Sequence, residues 1–466
     1  MPGTPRVLRN PWLAAGALCA FAAVSVGLAC CGAERSLDFM KYYAAIGTVG
    51  ALGVACLIAC LWTWRRPAAL LLHLGFALVL GGWTYNELAG VPDGYLKLHA
   101  GRTGSVDGDF EFTLDKFEID RWPDTGTVRQ YTSHGRIGSE KVDISVNHPL
   151  VRDGWWVYQS SFEEMENPHT GEPFYFTILQ CVKDAGLPLV ALGGALLLAG
   201  ALWLAFTTPA FATPKGRGSQ DGCRVVAQNA PSPSPFTHHP SPSTHHHSPI
   251  TFHLSSFTLH LSPLYLLAFL GALAMLVHRT MATGHPPLQN LYEFLMCMAA
   301  LIPVLTFVSA KVDGQNTLLV DSLLLAVVMI PVGFVMDGSV KRLMPALQSP
   351  FFVPHVGAYV LGYVLLVRAA LGAGRRLVGA GFFLLTLGLV LGAAWGKVCW
   401  GHWWQFDPKE MWSLATWFVY AAYFHVRPRL SEKGDRIFLA VGAVMIVLTL
   451  TWINLSKVFT GMHSYA

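Results

Sequence analysis

The stretch Trp395–Trp417, WGKVCWGHWWQFDPKEMWSLATW, carries six tryptophans and one phenylalanine around a short polar segment, Asp407-Pro408-Lys409-Glu410. Apolar runs precede and follow it. A soluble protein has little use for so many large rings beside a loop between two hydrophobic helices. A membrane protein that holds a large, flat, apolar cofactor at the water interface does, and the cofactor of that description is heme.

The rest of the chain agrees with a membrane setting. Of 466 residues, 53% are hydrophobic and 13% charged, with a mean hydropathy of +0.43. This is the composition of a polytopic membrane protein that also carries some soluble mass. The formal net charge of +4, with no basic patch interleaved with aromatics, excludes nucleic acid as a partner class and leaves membrane lipid as the surroundings. Nine cysteines include no CxxC pair, and most lie in apolar runs where cysteine packs as a small hydrophobe. Arg6 and Arg9 ahead of Trp12–Ala29 read as a signal anchor, because no small-residue cleavage site follows and further spans do.

Apolar runs of spanning length fall at 12–31, 42–62, 67–89, 185–206, 257–278, 290–310, 316–336, 351–371, 376–396, 411–426 and 436–455, about eleven in all. Starting inside, this count puts Arg6/Arg9, Arg65/Arg66, Lys215/Arg217/Arg224, Arg375/Arg376 and Arg427/Arg429 on the cytoplasmic side, as the positive-inside rule requires. Lys341-Arg342 is the exception and falls outside. The predicted fold class is therefore mainly α: a polytopic helical bundle with a small β-rich external domain.

That domain is residues 91–183, where DFEFTLDKF at Asp109–Phe117 alternates, Val142–Val146 and Trp155–Tyr158 read as strands, and Asn147-His148-Pro149 reads as a turn. Three parts follow: 1–206 with the external domain, a Pro/Ser/His-rich cytoplasmic linker at 207–256, and 257–466 with the aromatic loop at about 395–412. The linker holds His238, His239 and His245–His247, but too few apolar residues to bury a core.

Topology selects among the eighteen histidines. His73 lies within the third span near its cytoplasmic end, and His425 at the cytoplasmic end of the tenth. His355 and His463 lie at the external ends of the eighth and the last. The four thus form one pair on each side, the external pair beside the aromatic loop. Two neutral imidazoles hold heme iron from opposite faces, and an ionisable residue within a span is a functional candidate by default. His285, in a rigid Pro-Pro context before Glu293, reads as structural or substrate-lining. In the loop, Asp407, Pro408 and Glu410 form the N-cap, first position and capping box of the next helix. The rings of Trp400, Trp403, Trp404, Phe406 and Trp412 splay on the loop side, more densely than an interfacial belt requires.

The pattern Trp400-Gly401-x-x-Trp404-x-Phe406-Asp407-Pro408-Lys409-Glu410-x-Trp412 resembles the WWD signature of the heme-handling proteins, and 257–466 resembles the CcsA (ResC) part of System II cytochrome c synthases. His73 and VNHPLVRDGWWVYQSSF at 146–162 resemble the partner, CcsB (ResB), so the whole chain is similar to a fused CcsB–CcsA protein. The resemblance implies axial heme ligation by His355 and His463 at an external site and by His73 and His425 at a transmembrane site, with the aromatic loop and Asp407 at the cofactor. It implies ferrous heme b as substrate and ligand, and an apocytochrome c with a CxxCH segment as client. It further implies thioether formation as a holocytochrome c synthase, in the bacterial cytoplasmic membrane with attachment on the periplasmic side, and a thiol-reducing thioredoxin-like protein as an additional partner. Phe406 stands where the family usually has a second tryptophan. A heme transporter or chaperone that does not ligate is the alternative reading, and an electron-transfer subunit with structural hemes a third.

Overall fold

The computed structural model describes residues 10–31, 44–166, 169, 171–207, 249–312 and 315–455. Eleven α-helices in those residues overlap the eleven predicted spans, the fifth beginning at Pro249, inside the stretch predicted as linker. They are α1 Pro11–Cys31, α2 Ala44–Thr63, α3 Pro67–Ala89, α4 Leu187–Thr207, α5 Pro249–Thr283, α6 Leu291–Val312, α7 Leu318–Phe334, α8 Phe352–Ala370, α9 Val378–Trp400, α10 Pro408–Val426 and α11 Glu432–Leu455. Seven of these are long and apolar enough to cross a membrane: α3, α4, α5, α6, α8, α9 and α11. With them the chain is a multi-pass membrane protein. Helix α10 falls short on hydropathy because it sits inside the bundle: Ala415, Thr416, Tyr420 and Ala422 are at most 1% exposed, so helices rather than lipid surround it.

Helix packing brings the first third of the chain onto the last. Helices α3 and α4 cross so closely that a Cβ at Gly75 would stand 2.7 Å from the carbonyl oxygen of Gly193 and the amide nitrogen of Leu197. Small residues permit this backbone approach where no hydrophobic gain drives helices together. Near the start of α7, Asp321 accepts from Arg368 of α8 through both carboxylate oxygens, at 2.7 and 2.8 Å, with neither side chain exposed. Removing one partner of such a pair strands a buried charge, at a cost of about 3–5 kcal/mol.

Eight strands lie between α3 and α4: β1 Val91–Leu98, β2 Thr103–Val106, β3 Phe110–Arg121, β4 Val128–Ile137, β5 Glu140–Ser145, β6 Leu150–Arg152, β7 Trp155–Glu166 and β8 Pro173–Lys183. They form two antiparallel four-stranded sheets, ordered β1-β8-β7-β6 and β2-β3-β4-β5. The predicted alternation in β3 turns Phe110, Phe112 and Leu114 inward, where they meet Trp155, Val157 and Leu179 of the other sheet. Gly135 leaves room for this packing, since a Cβ there would lie 2.4 Å from the Phe112 ring.

This domain rests on the loops that the span count placed outside. Arg342, half of the exception to the positive-inside rule, pairs with Asp124 of the domain at 2.6 Å and stacks over Trp122.

Candidate functional site

His73 is the seventh residue of α3, on the end adjoining Arg65-Arg66, and His425 is the penultimate residue of α10. Their rings meet edge-on with centroids 5.8 Å apart. Each ring turns Nδ1 back to a carbonyl one helical turn earlier, His73 to Ala69 and His425 to Ala421, both at 2.7 Å. A carbonyl only accepts, so Nδ1 donates and Nε2 of the neutral ring keeps its lone pair. Phe76 and Trp417 stack nearby at 5.7 Å. The described residues contain no cluster of three or more His, Cys, Asp or Glu able to hold a metal ion. A bare ion asks for more protein ligands than two, whereas a macrocycle supplies the equatorial ligands itself and leaves two axial positions for imidazoles. The donor set fits heme.

On the opposite side, His355 in the first turn of α8 donates Nδ1–H to the Gly388 carbonyl of α9 at 2.8 Å. This orients Nε2 as the acceptor nitrogen, and the ring packs edge-on against Tyr359 and Trp395, at 5.2 and 5.7 Å. His355 borders a cavity of about 1160 Å³ including its open mouth, whose walls include Trp395, Trp404, Lys409, Glu410 and Gln289. His463 lies outside the described residues.

The other loop residues have different surroundings. Trp403 donates its indole N–H to Asp184, just after β8, at 2.9 Å. Trp400 packs on Trp395 at 5.6 Å. Phe406 is buried with Met411 and Trp412 against Trp83 of α3, with its backbone in the left-handed region at φ +58°. Asp407 caps α10 by accepting from the Lys409 amide at 2.9 Å, and Glu410 completes the capping box. Of the six loop residues Trp400, Trp403, Trp404, Phe406, Asp407 and Trp412, Trp404 is the one that lines the cavity. His285 does not line it, but its neighbours Leu288–Leu291 do.

Sequence reasoning missed Asp184 and Asp93, which fasten the loop to the β domain. Lys397 reaches Asp184 at 3.2 Å and His402 reaches Asp93 at 3.0 Å. Burial would raise the Asp93 carboxyl, but His402, Gln180 and Lys397 together hold it below its ordinary value. Trp395 was also missed as a lining ring, although it opens the quoted stretch. Neither aspartate carries a sequence signal, because each lies in a junction between the domain and a helix.

Comparison with known proteins adds the family. Residues 53–172 match the ResB-like family, and residues 373–463 match the Cytochrome C assembly protein family. The chain joins a ResB-like segment to a cytochrome c assembly segment. The second of these segments is similar to cytochrome c biogenesis proteins. The C-terminal part of the chain is 28% identical over 229 residues to the cytochrome c biogenesis protein CcsA of Chlamydomonas reinhardtii, covering 41% of this chain and 64% of that protein. It is 29% identical over 264 residues to CcsA of Prochlorococcus marinus strain MIT 9303, covering 43% and 82%. His73 lies within the ResB-like segment and His425 within the cytochrome c assembly segment, so the inner pair takes one imidazole from each.

Proposed function

We propose that this protein is a holocytochrome c synthase, receiving ferrous heme at His73/His425 and presenting it at His355/His463 for attachment to apocytochrome c. The single observation that carries the reading is the inner pair: two imidazoles from separate family segments, each with Nδ1 committed to a carbonyl and Nε2 left as the ligand nitrogen. Heme is substrate here, and the two CxxCH thiols are its partners. Each S–H adds across one heme vinyl group, forming one C–S bond and placing the hydrogen on the neighbouring carbon, with no net oxidation. The chain positions the macrocycle, excludes water and keeps two axial imidazoles on the iron. Trp404 and Trp395 supply the apolar wall of the outer cavity. The positive-inside pattern supports an external β domain, and in this reading the membrane is the bacterial cytoplasmic membrane with the domain on its periplasmic side. A thioredoxin-like protein keeps the client thiols reduced.

The test is co-expression with a CxxCH reporter in a bacterium lacking its own maturation system, beside His463→Ala. Heme on the reporter that survives denaturing gels, and is lost in the variant, is the expected result. Heme that co-purifies with the chain while the reporter stays unmodified establishes the carrier alternative instead, and a chain without heme overturns both.

A further inference from the structure

The turn Asn147-His148-Pro149 joins β5 to β6, yet Asn147 does more than reverse the chain. It is 7% exposed, and its backbone is left-handed at φ +66°. Its Nδ2 lies 2.9, 3.2 and 3.2 Å from the carbonyl oxygens of Pro345, Ala346 and Gln348. These belong to the 3-10 turn Pro345–Leu347 and the residue after it, immediately ahead of α8 and His355. The Ala346 carbonyl also accepts the indole N–H of Trp395 at 3.2 Å, and the Trp395 ring packs against the His355 imidazole. Asn147 Oδ1 is buried with no hydrogen-bond partner among the described residues. An orphaned acceptor costs about 1–3 kcal/mol, and a left-handed turn alone would be served as well by glycine. The two amide hydrogens on three carbonyls are what glycine lacks.

We propose that Asn147 is a positioning residue for His355, acting through the shared Ala346 carbonyl and Trp395. The inference rests on the reading of His355 as an outer heme ligand. Trp122 and Asp124 hold the same segment, through Leu343 and Arg342, so removing one amide leaves the domain docked.

The experiment compares Asn147→Gly, Trp395→Phe and their combination in the full chain. Glycine keeps the turn and removes both amide N–H donors, and phenylalanine keeps an aromatic ring and removes the indole N–H donor. Heme per chain and the low-temperature paramagnetic spectrum of the oxidised protein separate the outer heme from the inner one, and the reporter gives attachment. Either single variant is expected to shift or broaden the outer-heme signal and cut reporter attachment about tenfold to a hundredfold, with the inner signal unchanged and the double variant no worse than the more affected single. An unchanged outer signal, additive losses in the double variant, or equal loss of both hemes overturns the proposal. A parent protein without heme overturns the proposed function itself, and this inference with it.

Discussion

The imidazoles of His73 and His425, 352 positions apart in the chain, stand edge-on with centroids 5.8 Å apart, one on α3 and the other on α10. Neither ring is a site alone. In the proposed function both are axial ligands of one iron, so the effects of removing them are expected to be non-additive. His73→Ala and His425→Ala are each expected to abolish low-spin heme at the inner site, with the double variant no worse than either. Heme per chain and the ferrous absorption spectrum check this. Equal heme content in parent and variants would exclude the pair as a heme site.

Phe406 occupies the position where the resemblance implies a cofactor-facing ring, but it is buried against Trp83, Met411 and Trp412 in a left-handed backbone conformation. Its substitution therefore acts on stability. Phe406→Ala is expected to lower the thermal midpoint in detergent, by the equivalent of about 3–5 kcal/mol for a buried Phe→Ala change. Heme bound per folded chain should be kept. Phe406→Trp overpacks the same space at about 1–3 kcal/mol. Heme loss at an unchanged midpoint would place this ring on the cofactor after all.

How much of this was legible depends on how local the signal is. The seven long apolar helices could be read because a span needs about twenty apolar residues in a row, and the start of α10 because Asp407, Pro408 and Glu410 spell a cap within four positions. The inward face of β3 was visible as alternation. The direction of each loop tryptophan was not: Trp403 turns to Asp184, 219 positions away, and such a contact leaves no periodicity to detect. The docking of Arg342 on the β domain was hidden for the same reason, since its partner Asp124 is 218 positions distant.

Asp109 offers a pH test of the β domain. The indole N–H of Trp155 and the ammonium of Lys183 hold its carboxyl below the ordinary carboxylate value. A carboxyl whose folded value is depressed stabilises the fold above its unfolded value of about 3.9, and loses that contribution as pH falls through the lower folded value. Asp109→Asn is therefore expected to lower the unfolding midpoint at pH 7 and pH 5, with the gap from the parent closing as pH falls below the unfolded carboxylate value. A gap that stays constant into acid would mean the carboxylate charge contributes nothing.

Gly392 gives the sharpest test of the outer site, because it touches His355 without being a ligand. A Cβ there would stand 2.6 Å from Cε1 and 2.9 Å from Nδ1 of the imidazole, inside any real carbon contact. The ring cannot retreat freely, since Nδ1 is tied to the Gly388 carbonyl one turn earlier on the same helix and the ring edges meet Tyr359 and Trp395. Gly392→Ala must therefore break the Gly388 hydrogen bond or turn the imidazole, and either displaces Nε2. Reporter attachment is expected to fall at least tenfold, equivalent to about 1.4 kcal/mol, while the inner heme spectrum and the amount of folded protein hold. Gly271, where an added Cβ meets nothing within 4 Å, is the control that separates this push from a general cost of helix glycine replacement. Undiminished attachment in Gly392→Ala would show that the position of the His355 ring does not govern the reaction.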